Sequence, residues 1–198
     1  TYYKEVLQFP ESLRYNEALY KLGWAYYRLS QYPESISYFA TLVDDHVNKE
    51  EAEDDVSLQA DLFDESLEYI AISFIDFGGA SKAVEYLKGI NNPEWGWHML
   101  KALGYVYMDQ KEEYLLAIET YERLLAYNPF SSEAPEVQKN IVDCYRILED
   151  DANAFVARQK LFLKYKAGTA WWNANTSEEV KLKAYRLAEK SARENINE

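Results

Sequence analysis

Side chains that could carry out chemistry are few in this chain and lie far apart. It contains two histidines, His46 and His98, and one cysteine, Cys144. Neither histidine has a second His or Cys at the spacing of a zinc site, and a single cysteine can form neither an intrachain disulfide nor a thiolate cluster. Cys144 stands beside Tyr145 in a helical pattern, which predicts a buried structural thiol.

Sequence motifs of catalytic sites are also missing. The chain has no phosphate-binding glycine-rich loop, no Gly-x-Ser-x-Gly and no His-Glu-x-x-His. Acidic pairs are frequent, but on helices they are more often solvated than catalytic. We therefore predict that the chain is not an enzyme and that it uses no metal or other cofactor.

One segment supplies most of the net charge. The formal charge is −13, which argues against nucleic acid as a partner. Residues 44–68 contain eleven acidic residues and one lysine, a net −10 of that total. The segment lacks the alternating Asp-x-Asp-x-Asp-Gly order of a calcium loop. A solvated loop and helix start is the favoured interpretation, with a calcium site and a docking site for a basic partner as alternatives.

Length and composition are those of a globular chain without a membrane span. The chain has 198 residues, 48% of them hydrophobic, with 7 Gly and 5 Pro. No stretch approaches the ~18 consecutive apolar residues that a membrane-spanning helix needs. The first residue is Thr1, inside a helical pattern, so we expect the chain to be part of a longer protein.

Four stretches share one spacing of large, small and aromatic residues. A large apolar residue precedes a small one (Val142 in the fourth stretch), and an aromatic residue follows three positions later. A second small residue comes 12 positions after the first, or 13 in the third stretch, where we expect the extra residue to lie in the turn. Further large residues follow four and seven positions beyond it. The stretches are Leu22-Gly23-x-x-Tyr26 with Ser35, Phe39 and Leu42; Ile70-Ala71-x-x-Phe74 with Ala83, Leu87 and Ile90; Leu103-Gly104-x-x-Tyr107 with Ala117, Tyr121 and Leu124; and Ile141-Val142-x-x-Tyr145 with Ala154, Arg158 and Leu161.

This spacing predicts pairs of antiparallel helices. Residues three and four positions apart share a helical face, so the aromatic residue lies one turn beyond the small one. We expect the small residues of the two helices, such as Gly23 and Ser35, to face each other and let the backbones approach. Because one hairpin cannot bury its apolar face alone, neighbouring hairpins should stack.

The pattern resembles the tetratricopeptide repeat (TPR) family, whose signature is a large residue, Leu-Gly-x-x-Tyr, then Ala, Phe and Pro. The match is strongest over residues 15–47, and the fourth hairpin departs most from it. The resemblance implies an all-α fold, a right-handed superhelical solenoid of antiparallel helix hairpins. It also implies a scaffold that binds other proteins.

The predicted organisation is one continuous solenoid domain. Its predicted parts are the second helix of a truncated preceding repeat (1–10), the first hairpin (15–47), an acidic insertion (48–60), the second hairpin (61–91), the third (93–129), the fourth (131–166) and a C-terminal helix (176–198). A capping box, Thr176-x-x-Glu179, begins that last helix. The helix is interpreted either as a solenoid cap or as the first helix of a further repeat.

Family members bind partner segments in a concave groove lined by the first helix of each hairpin. The corresponding positions here are Glu17, Tyr20, Trp24, Tyr27, Arg28, Glu65, Glu68, Ile72, Asp76, His98, Lys101, Tyr105, Asp109, Glu136, Lys139, Asp143 and Arg146. Large aromatics together with Arg are typical of binding hot spots. For Trp24 and Tyr27, packing against neighbouring helices is an equal alternative. Tyr20 and Trp24 stand where a Lys/Asn clamp for chaperone tails would begin, which disfavours that partner class.

The setting and two alternative functions follow from other features. Residues 9–23 are similar to bacterial cell-envelope TPR proteins, which favours the periplasm or cell envelope, with the cytoplasm as an alternative. A glycan- or peptidoglycan-binding module would need exposed aromatic rings, and the candidates are Trp95, Trp97, Trp171 and Trp172. Self-assembly could use an apolar edge at the N-terminal hairpin.

Overall fold

The structure is a computed structural model that describes residues 2–48 and 56–197. Every regular element in these two ranges is helical. The helices are α1 (Tyr2–Val6), α2 (Tyr15–Arg28), α3 (Tyr32–Asn48), α4 (Val56–Asp76), α5 (Gly79–Gly89), α6 (Gly96–Tyr105), α7 (Tyr114–Tyr127), α8 (Ala134–Ile147), α9 (Asp151–Tyr165), α10 (Ala170–Ala174) and α11 (Glu178–Asn197), with a π-helical turn (Val106–Gln110) directly after α6. None of the helices in the described ranges combines the length and the apolar character needed to cross a bilayer.

The chain divides into two compact units, residues 1–103 and residues 104–198. In the first unit α2 packs on α3, α3 packs on α4, and α4 also touches α2. In the second unit α7 packs on α8, α8 on α9, and α9 on α11. Consecutive helices therefore pack on their neighbours in each unit, which confirms the predicted all-α, TPR-like helical solenoid class.

Helix α11 packs on the hairpin before it in the same way as α4 does. Just as α4 contacts both helices of the hairpin before it, α11 contacts both α8 and α9. Ala184, Ala188 and Ser191 of α11 are buried in this contact region. Both interpretations of α11, a solenoid cap and the first helix of a further hairpin, require this packing, and both stay predictions.

The close approach within a hairpin differs in detail from the expected contact of two small residues. A Cβ atom on Gly23 would lie 2.8 Å from the ring of Phe39, and one on Gly104 would lie 2.4 Å from the ring of Tyr121. The glycines therefore make room for an aromatic ring of the second helix. Ser35 does reach the first helix, where its hydroxyl donates to the Gly23 carbonyl at 2.9 Å.

The residue at the small position of the first helix and the large residue that follows it on the second helix vary together in size along the chain. The hairpins with glycine at the small position have an aromatic ring 16 or 17 residues later, whereas Ala71 is matched by Leu87 and Val142 by Arg158. All four partner residues on the second helices are at most 2% exposed. In the hairpins where the first helix carries a residue larger than glycine, the second helix carries a non-aromatic side chain in place of the ring. The two helices therefore stay closely packed in all four hairpins.

The extra residue of the third hairpin lies inside a helix. The sequence pattern places it in the turn, but the structure has a π-helical turn at Val106–Gln110, where α6 ends. A π-helical turn accommodates one additional residue without breaking the helix. Val106 and Tyr107 stay buried, so the apolar face is preserved despite the insertion.

Candidate functional site

The first unit presents a cluster of aromatic rings where α2 and α4 lie side by side. We call this the aromatic face and define it as Tyr20, Trp24 and Tyr27 of α2 together with Tyr69 of α4. The Tyr69 ring contacts Trp24 edge-on at a centroid distance of 5.9 Å and Tyr27 edge-on at 5.4 Å. It also stacks on Phe39 at 5.4 Å with the ring planes 11° apart. Tyr69 therefore connects the half-buried rings of Trp24 and Tyr27 to the buried core.

All four rings of the aromatic face are half-buried. The α2 members recur at i, i+4 and i+7, which places them along one helical face. Trp24 and Tyr27 pack on Tyr69, and Tyr20 packs edge-on on Phe39 at 5.9 Å, while each of these residues stays partly exposed. Packing and surface exposure, the two alternatives for Trp24 and Tyr27, thus coexist at these residues, and their role in binding stays a prediction.

Sequence reasoning missed Tyr69, although a signal was present. Glu65, Tyr69, Ile72 and Asp76 follow one another at intervals of four, three and four residues, which is the spacing of a single helical stripe. Three of these four positions were predicted to face the groove. The stripe itself could therefore have added Tyr69.

Carboxylates lie at both ends of the aromatic face. Burial raises the pKa of Tyr20, and the hydrogen bond to Glu65 raises it further. Burial also raises the pKa of Tyr27, with a smaller contribution from the negative charge of Asp76. The hydroxyl of Tyr32 donates to Asp76 Oδ2 at 3.1 Å. Tyr20 and Tyr27 therefore keep their phenol protons at neutral pH, beside the carboxylates of Glu65 and Asp76.

Two cations already lie against rings of the aromatic face. The Nζ atom of Lys21 is 5.6 Å from the centre of the Tyr20 ring. The guanidinium of Arg28 lies 5.1 Å from the centre of a Trp24 ring, within the range of a cation–π contact. Glu17 and Glu68 on the same two helices are exposed. The arrangement can hold a positively charged or apolar group against aromatic rings with carboxylates nearby.

The remaining predicted groove residues differ in their exposure and in their ion pairing. In the first unit His98 and Lys101 are exposed and Ile72 is half-buried. In the second unit Tyr105, Asp109 and Arg146 are exposed, Glu136 forms an ion pair with Lys183, and Lys139 forms one with Asp143. Because the residues of the Lys139–Asp143 and Glu136–Lys183 pairs neutralise each other, they have less charge to offer a partner. The aromatic face is therefore the strongest candidate for a binding site.

Three of the four tryptophans considered for glycan binding are buried, which argues against that alternative. Trp95, Trp97 and Trp171 are 3%, 5% and 3% exposed, so they offer no ring on which a sugar could stack. Trp95 donates its Nε1–H to Asp44 Oδ1 at 2.6 Å, and Trp171 donates to the carbonyl of Ser131 at 2.7 Å. Trp95 and Trp171 are therefore large core residues with a satisfied polar end, a common use of tryptophan. The Nε1–H of Trp97 is buried without a hydrogen-bond partner among the described residues.

The histidines and the acidic segment form no metal site among the residues that the structure describes. The His46 ring packs on Phe63 at 4.8 Å. No three His, Cys, Asp or Glu side chains within 2–48 and 56–197 are grouped as a metal ion would require. The acidic insertion predicted for residues 48–60 falls largely on residues 49–55, which lie outside the described residues.

Cys144 is buried, as predicted. Burial raises the pKa of its thiol to about 12, and the negative charges of Asp143 and Asp109 add to the effect. The thiol therefore stays protonated at neutral pH, and the thiolate that a nucleophile requires does not form.

The raised pKa of Cys144 predicts a loss of stability in alkaline solution. The unfolded thiol loses its proton near pH 9.0, whereas the folded one keeps it to about 12. Above pH 9 the unfolded state therefore binds fewer protons, and the free energy of unfolding should fall as pH rises. The contribution of this thiol should approach about 1.4 kcal/mol per pH unit.

Urea denaturation of wild type and Cys144→Ala between pH 8 and 11 measures that contribution. Both proteins share the buried tyrosines, so the difference between their slopes isolates the cysteine. Parallel pH profiles would show that the thiol ionises equally in both states.

The comparison with known families agrees with this geometry. The family model described as tetratricopeptide repeat matches residues 17–48, which span nearly all of α2 and extend to the last residue of α3. A search of curated proteins found no match. The matched residues include Tyr20, Trp24, Tyr27 and the Gly23–Phe39 contact. The match supports assignment of the chain to the tetratricopeptide repeat family, through the hairpin of α2 and α3.

Proposed function

We propose that this chain is a non-enzymatic protein–protein interaction scaffold that binds a partner segment on its aromatic face. A TPR hairpin suggests an interaction scaffold, and the chain contains one. The observation that carries the proposal is the half-buried ring cluster of Trp24, Tyr27 and Tyr69 between α2 and α4, to which Tyr20 is connected through Phe39. Preformed aromatic surfaces of this kind supply large contact areas with little loss of conformational freedom.

Charge favours a partner segment that carries Lys or Arg. The two helices that form the face carry the carboxylates of Glu17, Glu65, Glu68 and Asp76, against the two cations Lys21 and Arg28. A basic segment would meet these carboxylates and could place a cation against a ring, as Arg28 does on Trp24. The bacterial cell envelope is the proposed source of such a partner.

The test compares capture of partners by wild type and by Trp24→Ala/Tyr27→Ala from a bacterial envelope extract. A partner identified by mass spectrometry is then purified, and its binding segment is titrated by fluorescence anisotropy. Loss of two ring contacts at a hot spot costs on the order of 2 kcal/mol or more, so affinity should fall by at least about thirtyfold. Glu68→Lys, an exposed change, should weaken a basic segment without affecting the packing.

Tyr185→Ala is the matched control, because Tyr185 is an exposed tyrosine on α11 in the second unit. Circular dichroism must show native helicity for every variant. Equal binding by wild type and Trp24→Ala/Tyr27→Ala would remove the site from the aromatic face. Unchanged binding by Glu68→Lys would reject the basic character of the partner.

Self-association is a second proposal, supported by a different surface. Tyr2, Phe9 and Leu13 around α1 are 59%, 66% and 104% exposed. Exposed apolar residues that are close together are typical of contact surfaces. A sedimentation coefficient that rises with protein concentration, and no longer does so in Phe9→Ser/Leu13→Ser, is the expected result. Concentration-independent sedimentation as a monomer would reject it.

A further inference from the structure

A groove of about 270 Å³ in the second unit lies between the α7–α8 turn and the end of α9. We call it the Phe130 groove. It is lined by Leu125, Pro129, Phe130, Lys164, Tyr165, Thr169, Ala170 and Trp171. Phe130 is 50% exposed, so its ring is accessible at the edge of the groove. The groove shares no residue with the aromatic face.

Hydrogen bonds hold the walls of the Phe130 groove in place. The backbone N–H of Phe130 donates to Asn128 Oδ1 at 3.2 Å, and its carbonyl accepts from Asn175 Nδ2 at 3.1 Å. Trp171, which also lines the groove, contacts Tyr165 edge-on at 5.3 Å and donates to the carbonyl of Ser131. The turn that carries the exposed ring is thus tied to the wall beside α10, so the groove is formed before any ligand arrives.

Positive charge surrounds the Phe130 groove, although the chain as a whole is acidic. Residues 152–177 contain four Lys or Arg and no Asp or Glu, in a chain of net charge −13. Lys164 lines the groove and Lys160 precedes it by one helical turn. Both are exposed, and neither has an ion-pair partner among the described residues. Lys166, also exposed, follows at the end of α9.

We propose that the Phe130 groove binds an acidic partner segment, which packs one apolar side chain on the exposed ring of Phe130 and pairs its carboxylates with Lys160 and Lys164. The volume lies below the range of about 300–1,000 Å³ that small-molecule sites occupy, which suits one or two side chains. The apolar walls and the unpaired lysines match the two parts of such a segment. This surface is opposite in charge to the aromatic face, so the two would select different partners.

The probe is a fluorescein-labelled peptide, Asp-Asp-Phe-Asp-Asp, titrated with the whole chain at low ionic strength. We expect saturable binding that Lys164→Glu weakens by on the order of tenfold, which corresponds to loss of one charge-assisted contact. Phe130→Ser should weaken it by a similar factor. A peptide with Ala in place of Phe should bind more weakly, and Lys-Lys-Phe-Lys-Lys should not bind.

Lys111→Glu is the matched control, because it makes the same charge change at an exposed residue of the same unit outside the groove. Trp24→Ala should bind the acidic peptide like wild type, which separates this groove from the aromatic face. The proposal is overturned if wild type does not bind the acidic peptide at 1 mM. It is equally overturned if Lys164→Glu and Lys111→Glu have the same effect, or if the basic peptide binds in the groove.

Discussion

Replacing Gly104 by alanine is expected to destabilise the second unit substantially. The new Cβ would lie 2.4 Å from Tyr121 Cε1 and 2.7 Å from Cδ1, well inside van der Waals contact. Tyr121 is 2% exposed, so its ring has little room to move away. Overpacking of this kind costs about 1–3 kcal/mol, and the helix propensity gained from alanine recovers no more than about 1 kcal/mol of it. Urea denaturation followed by circular dichroism measures the net loss.

A second substitution should rescue the first. The second hairpin has Ala71 and Leu87 at the positions of Gly104 and Tyr121. Gly104→Ala should therefore cost less in a Tyr121→Leu background than in wild type, and the difference measures the coupling of the two positions. Gly89→Ala is the matched control, since no atom lies within 4 Å of its new Cβ. Equal effects of Gly104→Ala and Gly89→Ala would show that the ring contact does not restrict position 104.

Much of the fold could be predicted from the spacing of a few residues. The recurrence of Leu22-Gly23-x-x-Tyr26 and its three relatives reflects helical geometry, which depends only on the local chain. The contact partner of Gly23 depends on how two helices approach in space. Ser35 was the expected partner, whereas the Phe39 ring, one turn further along α3, also fills the space above the glycine.

The position of the extra residue before Ala117 could likewise not be predicted from spacing alone. Counting offsets detects the insertion in the third hairpin, but its location depends on the energy of competing backbone conformations. The helix after Tyr105 absorbs it as a π-helical turn, so that Val106 and Tyr107 stay buried. A turn insertion and a helical insertion have the same residue count, and only the packing distinguishes them.

The candidate site could be predicted in part. Tyr20, Trp24 and Tyr27 follow from the family groove positions, and the structure brings them together on one face with Tyr69. The exposure of Trp95 and Trp171 could not be predicted from composition. Their burial depends on contacts made 51 and 40 residues away along the chain, to Asp44 and Ser131.

Trp171 and Trp172 provide a paired test of such a distant contact. Trp171→Ala is expected to cost about 3–5 kcal/mol in the free energy of unfolding, the range for large aromatic residues in a core. Trp172 is half-buried, with Lys181 lying 5.7 Å from the centre of a ring. Trp172→Ala should therefore cost much less. Urea denaturation of the two variants, with the same chemical change at adjacent positions, measures the difference.

The large effect of Trp171→Ala has a structural reason. Helix α10 has five residues, too few to be stable by themselves. Its position therefore depends on the Trp171 ring against Tyr165 and on the bond from Nε1 to the Ser131 carbonyl. Trp171→Phe keeps a ring and loses the donor, so we expect an intermediate effect, with about 1 kcal/mol of it from the hydrogen bond. Equal stability of Trp171→Ala and Trp172→Ala would mean that α10 is held by its backbone and by Asn175 instead.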